Sequence, residues 1–452
     1  MNNEKTWDVI VVGGGVTGFT AATAAARNGA KTLLIEKDAA LGGTMTNVLV
    51  GPMMTFHSAK EQVIKGIAQE VIDRLMAMHA SPGHVKDTTG YVETVTPFDH
   101  EALKLVAQRM VLESGAQVLL HTWVQDVLLE NQTVRGVVVQ NKSGTETLYG
   151  RVIIDTSGDA DVAYRAGAPW EQGRIIDKRV QPVSLMFKAG PVNLPALREY
   201  ILNHPKDFDM TLEGIQALKE EKYFSVNGFI DQLHEGMSSG ELPFHREALL
   251  FFSTNYPDEV IVNTSRVTDI DPLNTWELTK AEFQAREQIF ALMTFMQKSV
   301  PGFEKAHILS AGSRVGVRES RRIMGEYILT AEDVISGKHF PDAVVRNAYP
   351  IDIHAPTPEE PSTDKFLKPG EYYEIPYRCL VPQKVEQLLV AGRCISTTHE
   401  AIGSTRTSPT CMALGQAAGT AAALSIREET NPRQLETGLL RKTLIAQGVF
   451  LE

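Results

Sequence analysis

The chain has 452 residues, of which 43% are apolar and 22% are charged, a composition typical of a folded soluble protein. This length exceeds what one hydrophobic core usually serves, so two domains are expected. The net charge is −11 and no strongly basic segment occurs, which argues against general nucleic-acid binding. No apolar run reaches the roughly 18 residues needed to span a bilayer.

Cysteine usage and the first residues of the sequence indicate the redox compartment. The three cysteines, Cys379, Cys394 and Cys411, are too few and too widely spaced for an iron–sulfur cluster or a CxxC redox pair. The opening sequence, MNNEKTW, leads directly into a strand pattern, so no signal peptide is expected. These features predict a reduced, cytoplasmic protein.

A nucleotide-binding pattern occupies residues 7–37, WDVIVVGGGVTGFTAATAAARNGAKTLLIEK, in the order strand, glycine turn, helix, strand. Gly13 allows a tight turn, Gly15 lets the backbone approach a pyrophosphate, and Gly18 lets the helix lie close to the sheet. Glu36, which closes the second strand, accepts hydrogen bonds from ribose hydroxyls and repels a 2′-phosphate, so NADP is disfavoured. The pattern predicts a dinucleotide site; the alternative is a chance glycine turn in another α/β protein.

Two further segments follow this ribose acid. The sequence LGGTMT contains Gly42, Gly43 and Thr44, which suit a second contact with a phosphate or cofactor, the alternative being a surface turn. Residues 48–58 are apolar and rich in methionine, with His57 near their end. This stretch either borders a pocket or belongs to the core.

Hydrophobic periodicity predicts most of the regular structure. Helices are expected at 58–80, 97–114, 278–299 and 408–424. The third of these is expected to begin at Thr279, with Glu282 completing a capping box. Strands are expected at 117–120, in a meander over 126–149, and at 151–155, 183–187, 249–254, 260–263 and 385–391.

The pattern of elements changes at Pro169, which indicates where one domain is interrupted by another. We predict an α/β fold in which a Rossmann-like domain of residues 1–168 and 311–452 carries an inserted α+β substrate (cap) domain of residues 169–310. The alanine- and glycine-rich helix at 408–424 is expected to pack tightly, most plausibly against the first helix. Small residues at 156–161, TSGDAD, follow a strand and suit close approach to a nucleotide.

Five motifs carry a family resemblance across nearly the whole chain. They are DVIVVGGGVTG, LGGT, VIIDTSGDADVA, GVRESRRIMGEYILTAEDV and LLVAGRCISTTHEAIGSTRTSPTCMALGQAAG. With them the chain resembles FAD-dependent oxidoreductases built on the glutathione-reductase-type FAD fold. It is more closely similar to a bacterial group distantly related to the flavoproteins of fumarate reductase and succinate dehydrogenase.

The resemblance implies which residues meet FAD. It places the ADP half against Gly13, Gly15, Val16, Thr17, Gly18, Glu36 and Lys37, and the adenine beside Val124. It places the pyrophosphate and ribityl chain near Gly42, Gly43 and Thr44, supported by Ser157, Gly158 and Asp159. It places the ribityl chain and flavin ring against Gly392, Arg393, Thr410, Cys411 and Met412. A helix beginning near Pro409 would aim its positive end at the flavin edge where negative charge gathers on reduction.

Three residues are candidates for the chemistry. Arg406 occupies the place at which fumarate reductases carry a substrate-binding arginine, and His399 lies seven residues earlier in a loop rich in Gly, Ser and Thr. We expect Arg406 to anchor an anionic substrate and His399 to act as acid or base; alternatively, Arg406 pairs with an acid and His399 bonds a loop carbonyl. His354 and Asp352 are candidates either for a proton-handling pair or for metal ligands, and two residues without the rest of a ligand set do not predict a metal site.

An arginine-rich block and one cysteine have open interpretations. Arg314, Arg318, Arg321 and Arg322 either line an anion site or form salt bridges between the domains, and salt bridges are favoured. Cys411 lies near a predicted helix N-terminus, which is expected to lower the pKa of its thiol; the alternative, which is favoured, is that it is a small residue packed near the flavin. His57 is the candidate for covalent flavin attachment.

The predicted function is FAD-dependent transfer of a hydride to or from a small organic molecule, either anionic or neutral. No second glycine-rich fingerprint occurs, so a dedicated NAD(P)H domain is not expected. One alternative is a flavin-carrying electron-transfer subunit of a larger redox complex, which requires a partner protein that holds a cluster. Another is a flavoenzyme acting on tRNA, against which the lack of a basic stripe counts. Besides a small-molecule substrate, the expected partners are a second copy of the chain or a redox partner protein.

Overall fold

The central element is a mixed β-sheet. The computed structural model describes residues 6–358 and 360–452. Parallel strands at the centre of the sheet run in the spatial order Gln117–Leu119, Thr32–Ile35, Thr6–Val12, Gly144–Asp155 and Leu388–Val390. The last part of the long strand continues the parallel sheet, while its first part pairs with an antiparallel extension formed by Thr133–Asn141 and Trp123–Glu130. This confirms the predicted Rossmann-like α/β fold.

The register brings the carboxyl ends of three strands side by side. Val12 is opposite both Ile35 and Asp155, so the next residues, Gly13, Glu36 and Thr156, lie together at one edge. The side chains of Thr6–Val12 alternate between two cores, with Val9 and Val11 on one face and Ile10 and Val12 on the other. Open α/β sheets bind ligands at this edge, where the strand order reverses.

The first helix, Val16–Arg27, packs against the long C-terminal helix Ser408–Arg427 on one face of the sheet. A Cβ atom on Gly419 would lie 2.1 Å from the Ala21 carbonyl oxygen, and one on Gly415 would lie 2.1 Å from Thr20 Oγ1. Thr20 Oγ1 also donates a hydrogen bond to the Met412 carbonyl, at 3.1 Å. The small residues of both helices are therefore required by the close approach of their backbones.

A second sheet is formed by residues 187–311, which come along the chain between the two segments that supply the first sheet. It is antiparallel, in the order Ser225–Gly228, Leu249–Ser253, Val260–Val262, Phe187–Gly190 and His307–Ala311. The helix Thr275–Ser299 covers it, and Phe187, Phe251 and Ile289 belong to their joint core. This core is separate from those on the two faces of the first sheet.

The remaining α-helices have 4–14 residues, and the remaining strands have 2–5 residues. The other helices are Thr44–Asn47, Ile67–Ala77, His100–Glu113, Asp161–Arg165, Leu194–Asn203, Leu212–Ala217, Ile230–Ser238, Ala331–Ile335, His399–Thr405 and Thr437–Ala446. The other strands are Met53–Met54, His57–Ser58, Glu61–Gln62, Val85–Lys86, Thr94–Thr96, Trp170–Gln172, Arg321–Ile323, Ala343–Asn347, Ile351–Ile353, Thr363–Lys365 and Tyr373–Pro376.

Two predicted helix starts are wrong. The helix expected at 58–80 is confined to Ile67–Ala77, because Gly66 has φ +66° and the preceding residues form a hairpin. The long helix begins at Thr275, one turn before Thr279, because the side chain of Asn274 accepts hydrogen bonds from the backbone N–H groups of Trp276 and Glu277.

Three other local predictions are also corrected. The strand expected at 183–187 begins only at Phe187, since Val183 makes an isolated bridge with Val267. The residues at 151–155 are the end of the strand Gly144–Asp155 and not a separate strand. The loop expected around His399 is the helix His399–Thr405, capped by the side chain of Thr398.

The substitution Gly419→Ala tests the contact between the two helices. Alanine favours an exposed helix by about 1 kcal/mol, but here its methyl group would overlap the Ala21 carbonyl. We expect a destabilisation of about 1–3 kcal/mol in urea unfolding, typical of overpacking. Arg427→Ala, at the exposed end of the same helix, should change stability by less than about 0.5 kcal/mol. A Gly419→Ala protein as stable as the wild type would contradict the close contact.

Candidate active site

One cavity of about 1170 Å³ opens at the carboxyl edge of the parallel strands. Its walls come from the first sheet, the second sheet and the loops that join them. Cavities for single small ligands are typically about 300–1,000 Å³, so this one has room for a large cofactor with a second molecule beside it.

The glycine turn forms one end of the cavity. Gly13 has φ +101°, and a Cβ atom there would lie 2.5 Å from the Thr156 carbonyl oxygen. A Cβ atom on Gly18 would lie 1.7 Å from the Gly13 carbonyl oxygen, so Gly18 sets the distance between helix and turn. At Gly15 a Cβ atom would meet nothing nearer than Gly43, at 3.9 Å, and would project into the open space. A bulky ligand can therefore approach the backbone at the start of the first helix.

Glu36 closes the same end. Its carboxylate accepts hydrogen bonds from the backbone N–H groups of Gly14 and Asp38 and lines the cavity. Burial raises the pKa of Glu36, and these N–H groups act in the opposite direction. Beyond it, Lys37 Nζ lies 4.6 Å from the ring centre of Trp123. Each carboxylate oxygen has a second lone pair, so Glu36 can still accept bonds from a ribose.

A buried carboxylate shapes the turn at 156–161. Asp155 accepts hydrogen bonds from the backbone N–H groups of Ser157, Val162 and Ala163, at 2.9–3.0 Å. Next to this turn, Asp159 forms an ion pair with Arg393, at 2.6 Å. Both residues line the cavity, so their positions relative to one another are fixed within its wall.

The C-terminal helix contributes its first turn. Thr407, Ser408 and Cys411 line the cavity, and the N-cap residue Thr407 makes no side-chain capping bond. Thr407 Oγ1 instead pairs with Thr410 Oγ1, at 2.9 Å. The unpaired N–H groups and positive dipole at this helix start suit negative charge on a ligand.

The expected cofactor residues divide into two sets. Those that line the cavity are Gly13, Gly15, Val16, Thr17, Glu36, Lys37, Gly43, Thr44, Val124, Ser157, Gly158, Asp159, Gly392, Arg393 and Cys411. Those that lie behind its wall are Gly18, Gly42, Thr410 and Met412. The open cradle at Gly15, the acid at Glu36 and two helix N-termini on one cavity fit an elongated dinucleotide carrying a ring system, as FAD does.

The expected low pKa of Cys411 is wrong. Burial raises the pKa of this thiol to about 12, and its Sγ lies 3.8 Å from the Thr405 carbonyl oxygen. Desolvation penalises the thiolate more than the helix N-terminus favours it. Cys379 and Cys394 are also buried with raised pKa values.

Of the candidate catalytic residues, Arg406 and His354 line the cavity. Arg406 Nη2 lies 3.2 Å from Asp352 Oδ2, so the arginine pairs with an acid. His354 Nε2 lies 3.4 Å from Asp352 Oδ1, and its Nδ1 is buried without a hydrogen-bond partner. Burial, and then the charges of nearby arginines led by Arg318, hold the pKa of His354 well below its usual range. The imidazole is therefore neutral at pH 7.

The other two histidine candidates lie away from the cavity. His399 is buried behind the wall, where its Nδ1 lies 2.9 Å from Glu319 Oε1. Glu319 also pairs with Arg322, so the three form a buried network. His57 lies 3.0 Å from Thr94 Oγ1 through its Nδ1 and does not reach the cavity wall.

The arginines of the block 314–322 differ in role: some form salt bridges, and Arg318 lines the cavity as an anion site would require. Arg314 pairs with Asp38 at 3.5 Å, and Arg321 pairs with Asp161 at 3.0 Å. Arg318 lines the cavity and has no acidic partner within 4.0 Å in the part of the chain that the structure describes. Arg246, which sequence reasoning missed, lies beside it; its segment, PFHREALL, carries no motif that could have identified it.

The described residues, 6–358 and 360–452, contain neither a cluster of metal-ligating side chains nor a membrane-spanning helix. Within these residues, no group of three or more His, Cys, Asp or Glu side chains is arranged to hold a metal ion. None of the helices in these ranges combines the length and apolar character needed to cross a membrane.

Comparisons with known proteins agree with this geometry. The sequence profile of the family described as FAD dependent oxidoreductase matches residues 8–444. Thiamine thiazole synthase of Aeropyrum pernix is 38% identical over 132 residues, which are 29% of this chain and 43% of that protein. The chain thus matches less than half the length of this curated relative.

Two solved structures align along nearly the whole chain, and the first of them supports the fold. A geranylgeranyl bacteriochlorophyll reductase-like protein of Thermoplasma acidophilum aligns with a TM-score of 0.51 and 14% identity, over 99% of this chain and 84% of the other. L-proline dehydrogenase from P. horikoshii aligns with a TM-score of 0.45 and 12% identity, over 98% and 99% of the two chains.

The raised thiol pKa values can be tested by alkylation of the native protein with iodoacetamide between pH 7 and 9. The thiolate is the reactive form, so a thiol with a pKa far above this range stays protonated and unreactive. We expect negligible labelling without an increase across the range, whereas protein unfolded in urea should take up three equivalents. Rapid labelling of native Cys411, found by mass spectrometry, would contradict the raised pKa.

Proposed function

The chain belongs to the FAD dependent oxidoreductase family and is a flavoenzyme with FAD as its cofactor, and on this premise we propose that it transfers a hydride between FAD and a small organic anion. The observation that carries the proposal is a single cavity lined both by the glycine turn of the first helix and by Arg246, Arg318 and Arg406. FAD would supply the hydride chemistry, and the chain would bind and orient the substrate and manage one proton.

The proposed cofactor contacts follow the lining of the cavity. The glycine turn and Glu36 would hold the adenosine and pyrophosphate, with Val124 at the adenine. Gly392, Arg393 and the first turn of the C-terminal helix would hold the flavin end. Gly18, Gly42, Thr410 and Met412 would act through backbone packing, because they lie behind the wall.

Residues 169–310 would form the substrate domain of the proposed enzyme, and residues 1–168 and 311–452 the FAD domain. The support is the separate core of the second sheet and the contribution of that segment to the cavity wall through Ser184, Arg246 and Asn263. A substrate lying between the two parts would be shielded from water on both sides.

His354 is the proposed proton-handling residue. Its neutral imidazole has an unpartnered Nδ1, and Asp352 lies beside its other ring nitrogen. Asp352 also holds Arg406, so one carboxylate positions both side chains at the cavity. The neutral ring has a nitrogen free to bond or take a proton from a substrate, and its low pKa makes it a weak base in the empty site.

A narrower relationship to the fumarate reductase and succinate dehydrogenase flavoproteins remains part of this proposal. It is supported by Arg406, which lines the cavity directly before the C-terminal helix. The pairing of Arg406 with Asp352 partly satisfies its charge, so Arg406 would orient a substrate rather than hold it alone.

The test is anaerobic bleaching of the flavin absorbance by a panel of small carboxylic acids and phosphate esters. A compound that bleaches the FAD-loaded protein in the absence of any other protein would support direct hydride transfer. If a purified iron–sulfur or other redox protein is always needed, the chain is an electron-transfer subunit and the proposal is wrong.

The substitution His354→Asn tests the proton-handling role with a compound found in that panel. We expect the bleaching rate to fall by about 10²–10⁴-fold, the usual contribution of a general acid or base, with FAD still bound. The low pKa of His354 predicts no step near pH 6.5 in the wild-type profile between pH 6 and 8, since the ring stays neutral throughout.

His307→Asn is the matched control, because His307 is exposed on a strand of the second sheet. It should bleach at the wild-type rate. A His354→Asn protein that reacts as fast as this control would remove His354 from the mechanism.

A further inference from the structure

Four arginine side chains meet where the segment 169–310 contacts the later part of the chain. They are Arg246, Arg266, Arg318 and Arg406. Burial, and after it the positive charges of Arg406 and Arg246, lower the pKa of Arg318 to about 9. Such a concentration of buried positive charge requires compensation from nearby anions.

Two of the four arginines already have acidic partners. Arg266 Nη1 lies 2.9 and 3.0 Å from the two carboxylate oxygens of Glu247. Arg406 lies 3.2 Å from Asp352 Oδ2 and 3.1 Å from the Asp352 carbonyl oxygen. Glu247 and Asp352, the carboxylates that bond to this group of arginines, are therefore already engaged by Arg266 and Arg406.

Arg246 and Arg318 are left without a close acid. The side chain of Arg246 is 9% exposed, makes no hydrogen bond to any described residue, and comes no nearer to a carboxylate than 3.9 Å, at Glu247. Arg318 donates only to neutral acceptors, the Pro182 carbonyl at 2.9 Å and Ser184 Oγ at 2.7 Å. Both guanidinium groups line the cavity, so their free donors are available to a ligand.

Two other carboxylates of the cavity wall, Asp209 and Asp364, form no ion pair with Arg246 or Arg318. Asp209 and Asp364 line the cavity but are exposed, where water screens their charges. Asp209 accepts a hydrogen bond from Asn227 at 3.1 Å, and Asp364 accepts one from the Tyr91 hydroxyl at 2.6 Å. Arg246 therefore shares Glu247 with Arg266 at a distance of 3.9 Å, and Arg318 has no described acid within 4.0 Å, so both charges are only partly compensated beside the cavity.

We propose that Arg246 and Arg318 form an anion site for a substrate that carries two negative charges. This inference rests on the proposed function and gives its substrate class: a dicarboxylate or a phosphate monoester. Planar guanidinium groups bind both kinds of oxyanion through paired N–H donors. A monoanion would leave one of the two buried arginine charges unpaired.

The test is isothermal titration calorimetry of the FAD-loaded protein with four kinds of probe. The probes are the dicarboxylates from malonate to adipate, the monoamide of the tightest of them, butyrate, and inorganic phosphate. We expect at least one dianion to bind about tenfold or more tightly than the monoamide, with affinity that falls as salt is added. A monoamide that binds as tightly as its dicarboxylate overturns the proposal.

The variants Arg246→Gln and Arg318→Gln link the binding to the two residues. Each should weaken the dianion by about 10–100-fold and leave the weaker monoamide much less affected, because a charge-assisted bond is lost. Arg246→Lys keeps the charge without the planar fork and should bind with intermediate affinity, which also guards against a Gln variant that fails to fold. Arg135→Gln, on an exposed ion pair, is the control and should bind like the wild type. Unchanged dianion affinity in both folded Gln variants overturns the proposal.

The outcomes separate the anion site from the proposed function. Binding of phosphate but of no dicarboxylate supports the site and assigns it to phosphate monoesters. FAD-loaded protein that binds no dianion overturns the site and leaves the flavin chemistry intact. Protein that cannot be loaded with FAD contradicts the proposed function, whereas calorimetry on that flavin-free protein still tests the two arginines.

Discussion

The contact between the helices Val16–Arg27 and Ser408–Arg427 is the constraint on which the site depends. It joins the first and last parts of the chain, and glycines at 415 and 419 let the two backbones approach. The start of each helix contributes residues to the same cavity wall, at the carboxyl edge of the parallel sheet. Two positive helix ends therefore face a space large enough for FAD.

The two ends of the cavity differ in chemistry, because their residues come from different parts of the chain. The glycine turn and Glu36 present mainly backbone groups, which allow a cofactor to approach closely. Arg246 and Arg318 present long charged side chains from the loop before the strand Leu249–Ser253 and from the loop after the strand His307–Ala311. An anionic substrate held by these arginines would lie in the same space as the cofactor, and this common space is the basis of the proposed chemistry.

The sequence predicted the fold class and the membership of an FAD-dependent oxidoreductase family correctly, because both depend on local patterns. A strand, a glycine turn, a helix and a second strand ending in an acid, at fixed spacing, predict the pair of parallel strands Thr6–Val12 and Thr32–Ile35. Which of His399 and His354 reaches the cavity depends on side-chain direction, because a helix at 399–405 turns His399 towards Glu319, behind the wall. Arg246 is brought to the cavity only by tertiary packing, and the pKa of Cys411 is set by burial. Neither effect leaves a signal in sequence spacing.

The most direct measurement is the visible absorption spectrum of the purified protein, recorded before and after acid precipitation. The account predicts a flavin spectrum that passes into the supernatant, because His57, the candidate for covalent attachment, lies away from the cavity. A colourless protein that gains no flavin spectrum when FAD is added would contradict the assignment of the cavity. Flavin that stays with the precipitate would contradict the non-covalent site described for residues around Gly13 and Arg393.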